Sequence, residues 1–193
     1  MQLMQELRTQ RWDDHRYYHH NRINQSLHLF SACCFLATYA LVFDSPVAAA
    51  LTGWILAMVS RQIGHFFFEP RDYDEANQAT HEYKEEIKVG YNLRRKVVLL
   101  TLWIATPAML HFNPSLFGLF QPHASMSEFA HNLSLLWIWL GIGAVLVRTV
   151  HLFFIANLTT GVAWFIKIVT DPVHDILLYH KAPFQALRGD LYD

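Results

Sequence analysis

The stretch Tyr18-His19-His20-Asn21-Arg22-Ile23-Asn24-Gln25-Ser26-Leu27-His28 concentrates imidazoles and amides. Imidazole nitrogen suits zinc, copper, iron and nickel. If the stretch is helical, His20, Asn24 and His28 fall at i, i+4 and i+8, near one face. Asn24 would then hydrogen-bond a ring nitrogen and fix its tautomer. The alternative is an interfacial arm whose histidines are solvated. A second cluster, Arg61-Gln62-Ile63-Gly64-His65-Phe66-Phe67-Phe68-Glu69-Pro70-Arg71, offers an imidazole and a carboxylate four residues apart, His65 and Glu69. Gly64 permits close approach of a neighbouring segment. A histidine and a carboxylate at the end of an apolar run are costly to bury unpaired, which favours a functional role. The competing arrangement is a Glu69–Arg71 ion pair with His65 as a satisfied core residue.

Two further histidines are candidate metal ligands. His151 follows Arg148 at the end of an apolar run, and an ionisable residue inside such a run is a functional candidate. Arg148 itself can instead snorkel towards headgroups. Arg61–Phe68 and Arg148–Phe154 both read arginine, histidine, then phenylalanines after an apolar run, a faint internal repeat. His174 lies in Asp171-Pro172-Val173-His174-Asp175, where Asp171-Pro172 predicts the start of a short amphipathic helix. His180 lies farther out. His81-Glu82-Tyr83-Lys84-Glu85-Glu86 lacks the second histidine of H-E-x-x-H, and it reads as a solvated helix with Glu/Lys pairs.

The elements that must position these residues are apolar. Leu27–Phe43, Val47–Ser60 continuing through Ile63–Phe68, Val97–Phe112 and Leu133–Leu158 are the apolar blocks. A membrane-spanning helix needs about 20 apolar residues, with a lower limit near 17. Hydrophobic residues make up 53% of the 193-residue chain and charged residues 16%, under the roughly 25% of a soluble domain. These features predict an all-α integral membrane bundle of about four transmembrane helices plus short interfacial helices. With the N-terminus cytoplasmic, all 15 Lys and Arg fall in the arm, in the middle loop or from Arg148 onward, and the outer segments 44–46 and 113–132 have none. That asymmetry fits the positive-inside rule and puts both termini in the cytoplasm. Most of the 12 histidines fall on the same side, as one shared site requires.

The expected organisation is a single membrane domain. It comprises a His-rich arm (1–26), two spans (27–68), a charged cytoplasmic loop (69–96), two more spans (97–158) and a cytoplasmic-side tail (159–193). The polar start, 1–20, lacks the apolar core of a cleavable signal. A net charge of −1 gives no electrostatic support for a nucleic-acid partner. Cys33 and Cys34, adjacent in an apolar run, suit packing and form no disulfide framework. Gly-rich phosphate loops and the G-x-S-x-G elbow are absent.

The two histidine clusters resemble the motifs of the membrane-bound, Fe(2+)-dependent 2-hydroxy fatty acid dioxygenases of fungal phytosphingosine breakdown and their bacterial relatives. Tyr18, His19, His20, Asn21, Asn24 and His28 match Y-H-H-N-x-x-N-x-x-x-H, and Gly64, His65, Phe68, Glu69 and Arg71 match G-H-x-x-F-E-x-R. The match covers roughly residues 12–72, and a charged loop follows where fungal members pass quickly to the next span. The resemblance implies a helical membrane protein that holds Fe(2+) with histidines. It would cleave a 2-hydroxy fatty acid with O2 to an acid one carbon shorter, within the lipid bilayer of a bacterial inner membrane or the endoplasmic reticulum, with the site on the cytoplasmic side. On this reading His20, His28 and His65 are the first ligands, and His19 and Glu69 act as ligands or support them. Asn24 orients a ligand, and Arg61 or Arg71 pairs with the substrate carboxylate. Two other classes remain open. One is a di-iron hydroxylase or desaturase-like oxygenase drawing on His151 and His174. The other is a non-enzymatic metal-binding or structural membrane protein.

Overall fold

Short polar side chains set where the helices begin. In the computed structural model, which describes residues 2–69, 72–75 and 77–192, side chains of Asn21, Ser45, Thr80, Asn92, Ser125 and Asn157 each accept a first-turn backbone N–H. Each such cap satisfies a donor that the helix itself leaves unpaired. The helices are α1 (Gln2–Tyr18), α2 (Arg22–Leu41), α3 (Pro46–Phe68), α4 (His81–Ile87), α5 (Leu93–Phe112), α6 (Met126–Ile155), α7 (Leu158–Tyr179) and α8 (Ala182–Leu187). Among the described residues there is no strand, only isolated bridges between Asn21 and Tyr192 and between Asp74 and Ala79. The protein is all-helical, as the sequence predicts.

The apolar runs on either side of Arg61-Gln62 form one continuous helix, α3, with π-helical turns over Leu51–Met58 and Gly64–Phe68. Two helices, α3 and α6, are long and apolar enough to cross a membrane. Many large apolar side chains face outward, among them Phe43 at 91% exposure, Phe112 at 84% and Phe154 at 83%. The interior holds small residues, such as Ala32, Ala49, Ala57 and Ala163, and many polar ones, including Asn24, Gln25, Ser31, Lys84 and Asp171.

Two expectations fail. Asp171-Pro172 does not start a helix, because α7 runs through it to Tyr179. An internal proline loses one backbone hydrogen bond and costs about 3 kcal/mol in an exposed helix. Here α7 packs against α1, α2 and α6, and Lys167 Nζ donates to Asp171 Oδ2 at 2.7 Å one turn earlier, so packing and a buried ion pair hold the helix through the break. The helix α4 is not simply solvated either. Lys84 is fully buried, 3.7 Å from Asp74, and the Tyr18 hydroxyl donates to the Lys84 carbonyl at 2.5 Å. The charged loop therefore folds down onto the junction of α1 and α2.

Candidate metal centre

Three elements converge at this junction. Asn21 adopts extended backbone angles (φ −85°, ψ 128°) and caps α2, so the chain turns between α1 and α2 and does not continue as one helix. His19 lies in that turn, His28 two turns into α2, and His65 near the end of α3, whose direction brings it back to the same level. One nitrogen from each ring comes together, all three within 4.8 Å of one another. Ring centroids are 4.1 Å apart for His19 and His28, 4.9 Å for His28 and His65, and 5.4 Å for His19 and His65. Gly64 makes the α2–α3 approach possible: a Cβ there would lie 2.2 Å from Asn24 Oδ1.

Two of the imidazoles are backed by a hydrogen bond at Nδ1, and the third faces a carboxylate beyond hydrogen-bond reach. His19 Nδ1 lies 2.9 Å from the Asp14 carbonyl, His65 Nδ1 lies 2.7 Å from Glu69 Oε2, and His28 Nδ1 lies 3.8 Å from Asp175 Oδ2. If each Nδ1 carries the proton towards its oxygen, every Nε2 presents a bare lone pair. The Nε2 atoms of His19 and His28 then face each other at 3.1 Å, with buried His28 Nδ1 making no hydrogen bond. A shared cation satisfies this arrangement, and it is the outer-shell pattern common in histidine metal sites. Ligand nitrogens sit about 2.0–2.1 Å from an ion such as zinc, so two of them span at most about 4.2 Å. His19 and His28 already meet that limit, and the third ring must close by roughly half an ångström. The donor set therefore fits a metal ion, leaving its identity open.

Burial, reinforced by the neighbouring His28, holds the His19 pKa well below the ordinary value of 6.5. His19 is thus neutral and ready to bind a metal at neutral pH. Burial pushes the Glu69 carboxyl up, against the pull of Lys88, whose Nζ lies 3.6 Å from Glu69 Oε1 and 3.6 Å from the Tyr18 ring centroid. Burial also acts to raise Asp14, but Lys167 and His19 outweigh it and hold Asp14 well below the carboxylate range.

The site differs from the sequence reading in its members. His19 takes the place expected for His20. Because Asn21 starts α2, His20 is not on the face of Asn24 and His28; its Nε2 lies 3.4 Å from Asn77 Nδ2 and 3.9 Å from Asp74 Oδ2. Asn24 touches no ring nitrogen but donates from Nδ2 to the Tyr18 carbonyl at 2.8 Å, fixing the turn that carries His19. Arg61 is bound to Asp175. His151 accepts from Arg148 Nη1 at 2.9 Å on α6, and His174 is half-buried beside Asp175; neither joins the triad. Arg71 lies outside the described residues. The sequence reading passed over Asp14, Asp175 and Tyr179. Asp171, Asp175 and Tyr179 recur at i, i+4 and i+8 and are all buried, a stripe that a helix starting at Asp171 would also carry. The Tyr179 ring lies 5.9 Å from that of His19, and its hydroxyl is 3.2 Å from His15 Nδ1.

A cavity of about 670 Å³ opens beside the triad. His28, His65, Arg61 and Lys88 line it near the junction, and Trp54 and Trp137 line it farther along the helices. On α3 its wall runs from Ala49 to His65, roughly 24 Å at 1.5 Å per residue. The chain matches no protein-family model, no curated protein and no solved structure.

Proposed function

We propose that this chain is a membrane-embedded, iron(II)-dependent dioxygenase that cleaves 2-hydroxy fatty acids to the acid one carbon shorter. The observation that carries the reading is the histidine triad, with His19 and His65 backed at Nδ1, set at one end of a long, largely apolar cavity. The resemblance of residues 18–28 and 64–71 to the dioxygenase motifs supports the same class. His19, His28 and His65 would hold the ion, and iron(II) there would supply the redox chemistry that O2 requires, with room for a 2-hydroxy carboxylate to bind beside them. The reaction balances without another reductant: carbon 1 leaves as carbon dioxide, one water forms, and four electrons pass from the substrate to O2.

The residues of the chain hold and orient. Glu69 fixes the ring of His65 and the Asp14 carbonyl that of His19, while Asp175, held by Arg61, sits 3.8 Å from His28 Nδ1. The Asn21 cap and the bond from Asn24 to the Tyr18 carbonyl set the turn that points His19 inward. The long wall of α3 accommodates the acyl chain.

For the membrane arrangement, α2, α3, α5 and α6 are proposed to span the bilayer, with both termini and the triad on the cytoplasmic side. The helices α2 and α5 have 20 residues each, about 30 Å, the thickness of a hydrocarbon core. The outward phenylalanines and the one-sided Lys and Arg support this placement.

O2 uptake by the iron-loaded protein tests the reading, with 2-hydroxyhexadecanoic acid compared against hexadecanoic and 3-hydroxyhexadecanoic acids. Uptake with the 2-hydroxy acid alone, together with a C15 acid product, is expected. Bound metal without uptake on any of them would leave a metal-binding protein, and two irons per chain would point to a di-iron oxygenase.

A further inference from the structure

Four cations line the cavity, Arg61, Lys88, Lys96 and Lys167, and three are already neutralised. Arg61 is held by Asp175. Lys167 Nζ lies 3.0 Å from Asp14 and 2.7 Å from Asp171. Lys88 Nζ lies 3.6 Å from Glu69 and 3.5 Å from Glu85. The side chain of Lys96 makes no hydrogen bond and no ion pair among the described residues. It is only partly exposed, on the first turns of α5, and its charge acts on both His28 and His65. Glu69, Glu85 and Asp14 act on it only from beyond ion-pair distance, so the cost of burying this ammonium is incompletely offset. One that lines the same cavity as His28 and His65, with no carboxylate in contact, has the position of an anion receptor.

We propose that Lys96 binds the carboxylate of an amphiphilic acid whose chain lies in this cavity. The inference rests on the proposed function for the identity of the acid, and it takes over the role expected of Arg61, which Asp175 holds. A carboxylate has two oxygens, so one can chelate at the triad while the other accepts from Lys96 Nζ. A charge-assisted bond of this kind favours the acid over its neutral ester by roughly tenfold or more. The cavity supplies its own reporters, because Trp54, Trp137 and Trp164 line it.

The experiment is quenching of tryptophan emission in the detergent-purified full chain by dibromostearic acid and by its methyl ester. The wild-type protein should bind the acid at least tenfold more tightly than the ester. Lys96→Met should weaken that preference about tenfold while binding the ester unchanged and retaining its metal, and Lys96→Arg should keep most of it. Equal affinity of the wild-type protein for acid and ester would overturn the proposal whether or not the variants fold. So would an unchanged preference in Lys96→Met. A Lys96-dependent preference in a protein that consumes no O2 would uphold the receptor and refute the dioxygenase.

Discussion

Arg61–Phe68 and Arg148–Phe154 have nearly the same local sequence and opposite fates. In the first, His65 joins two other imidazoles and is backed by Glu69, and Arg61 reaches Asp175 on α7. In the second, Arg148 turns away to donate from Nε to the Val89 carbonyl at 2.9 Å, and exposed His151 meets, among the described residues, only that arginine. Arg148 thus pins the segment before α5 to α6. The difference lies in what the rest of the chain brings to each end. At His65, Gly64 lets α2 approach closely and the α1–α2 turn delivers His19; His151 has no such partners. Chemistry here comes from convergence, and an Arg-x-x-x-His or Arg-x-x-His spacing alone does not create it.

The largest expected effect separates the two histidines. His65→Ala should abolish O2 uptake with the 2-hydroxy acid, whereas His151→Ala should leave it within about twofold. Equal losses would mean that the two ends form one site. A smaller effect is expected one shell out. Glu69→Gln should keep the ring contact but weaken its charge, lowering metal affinity about 10–100-fold in a chelator competition. An unchanged affinity would show that Glu69 only closes the loop over the site through Lys88.

Packing offers the next contrast. Gly64→Ala forces a Cβ against Asn24 and should destabilise the protein by about 1–3 kcal/mol, whereas Gly143→Ala, with nothing within 4 Å of its Cβ, should be neutral or slightly stabilising. Thermal melts in one detergent compare the two, and equal melting temperatures would refute the close approach of α2 and α3. The smallest effect is on pH dependence. The unfolded chain takes up a proton at an ordinary histidine, while buried His19 resists it, so the metal-free protein should lose stability as pH falls below about 6.5. That loss should be smaller in His19→Gln, and an identical pH dependence would place His19 in solvent.

Much of this site is legible in the sequence. His28, His65 and Glu69 follow from helical spacing, and Gly64 from its place beside His65. The exchange of His20 for His19 comes from one residue, Asn21, whose capping role ends the helical register on which the i, i+4, i+8 reading depends. Asp171, Asp175 and Tyr179 share a face whether the helix starts at Asp171-Pro172 or runs through it; what local spacing does not show is that α7 continues upstream and packs against α1 and α2. Lys84 reads as a surface residue because Glu and Lys surround it, and its burial depends on Asp74 and Tyr18, which are distant or unremarkable in sequence. Long-range pairing of polar groups is the part of the fold that local spacing does not encode.

The central claim is that His19, His28 and His65 hold one metal ion. The direct measurement is iron, zinc and copper per chain in anaerobically purified wild-type, His19→Ala and His20→Ala proteins, each shown to be folded. About one iron is expected in the wild-type and His20→Ala proteins and none in His19→Ala. Retention of metal by His19→Ala, with its loss from His20→Ala, would contradict it.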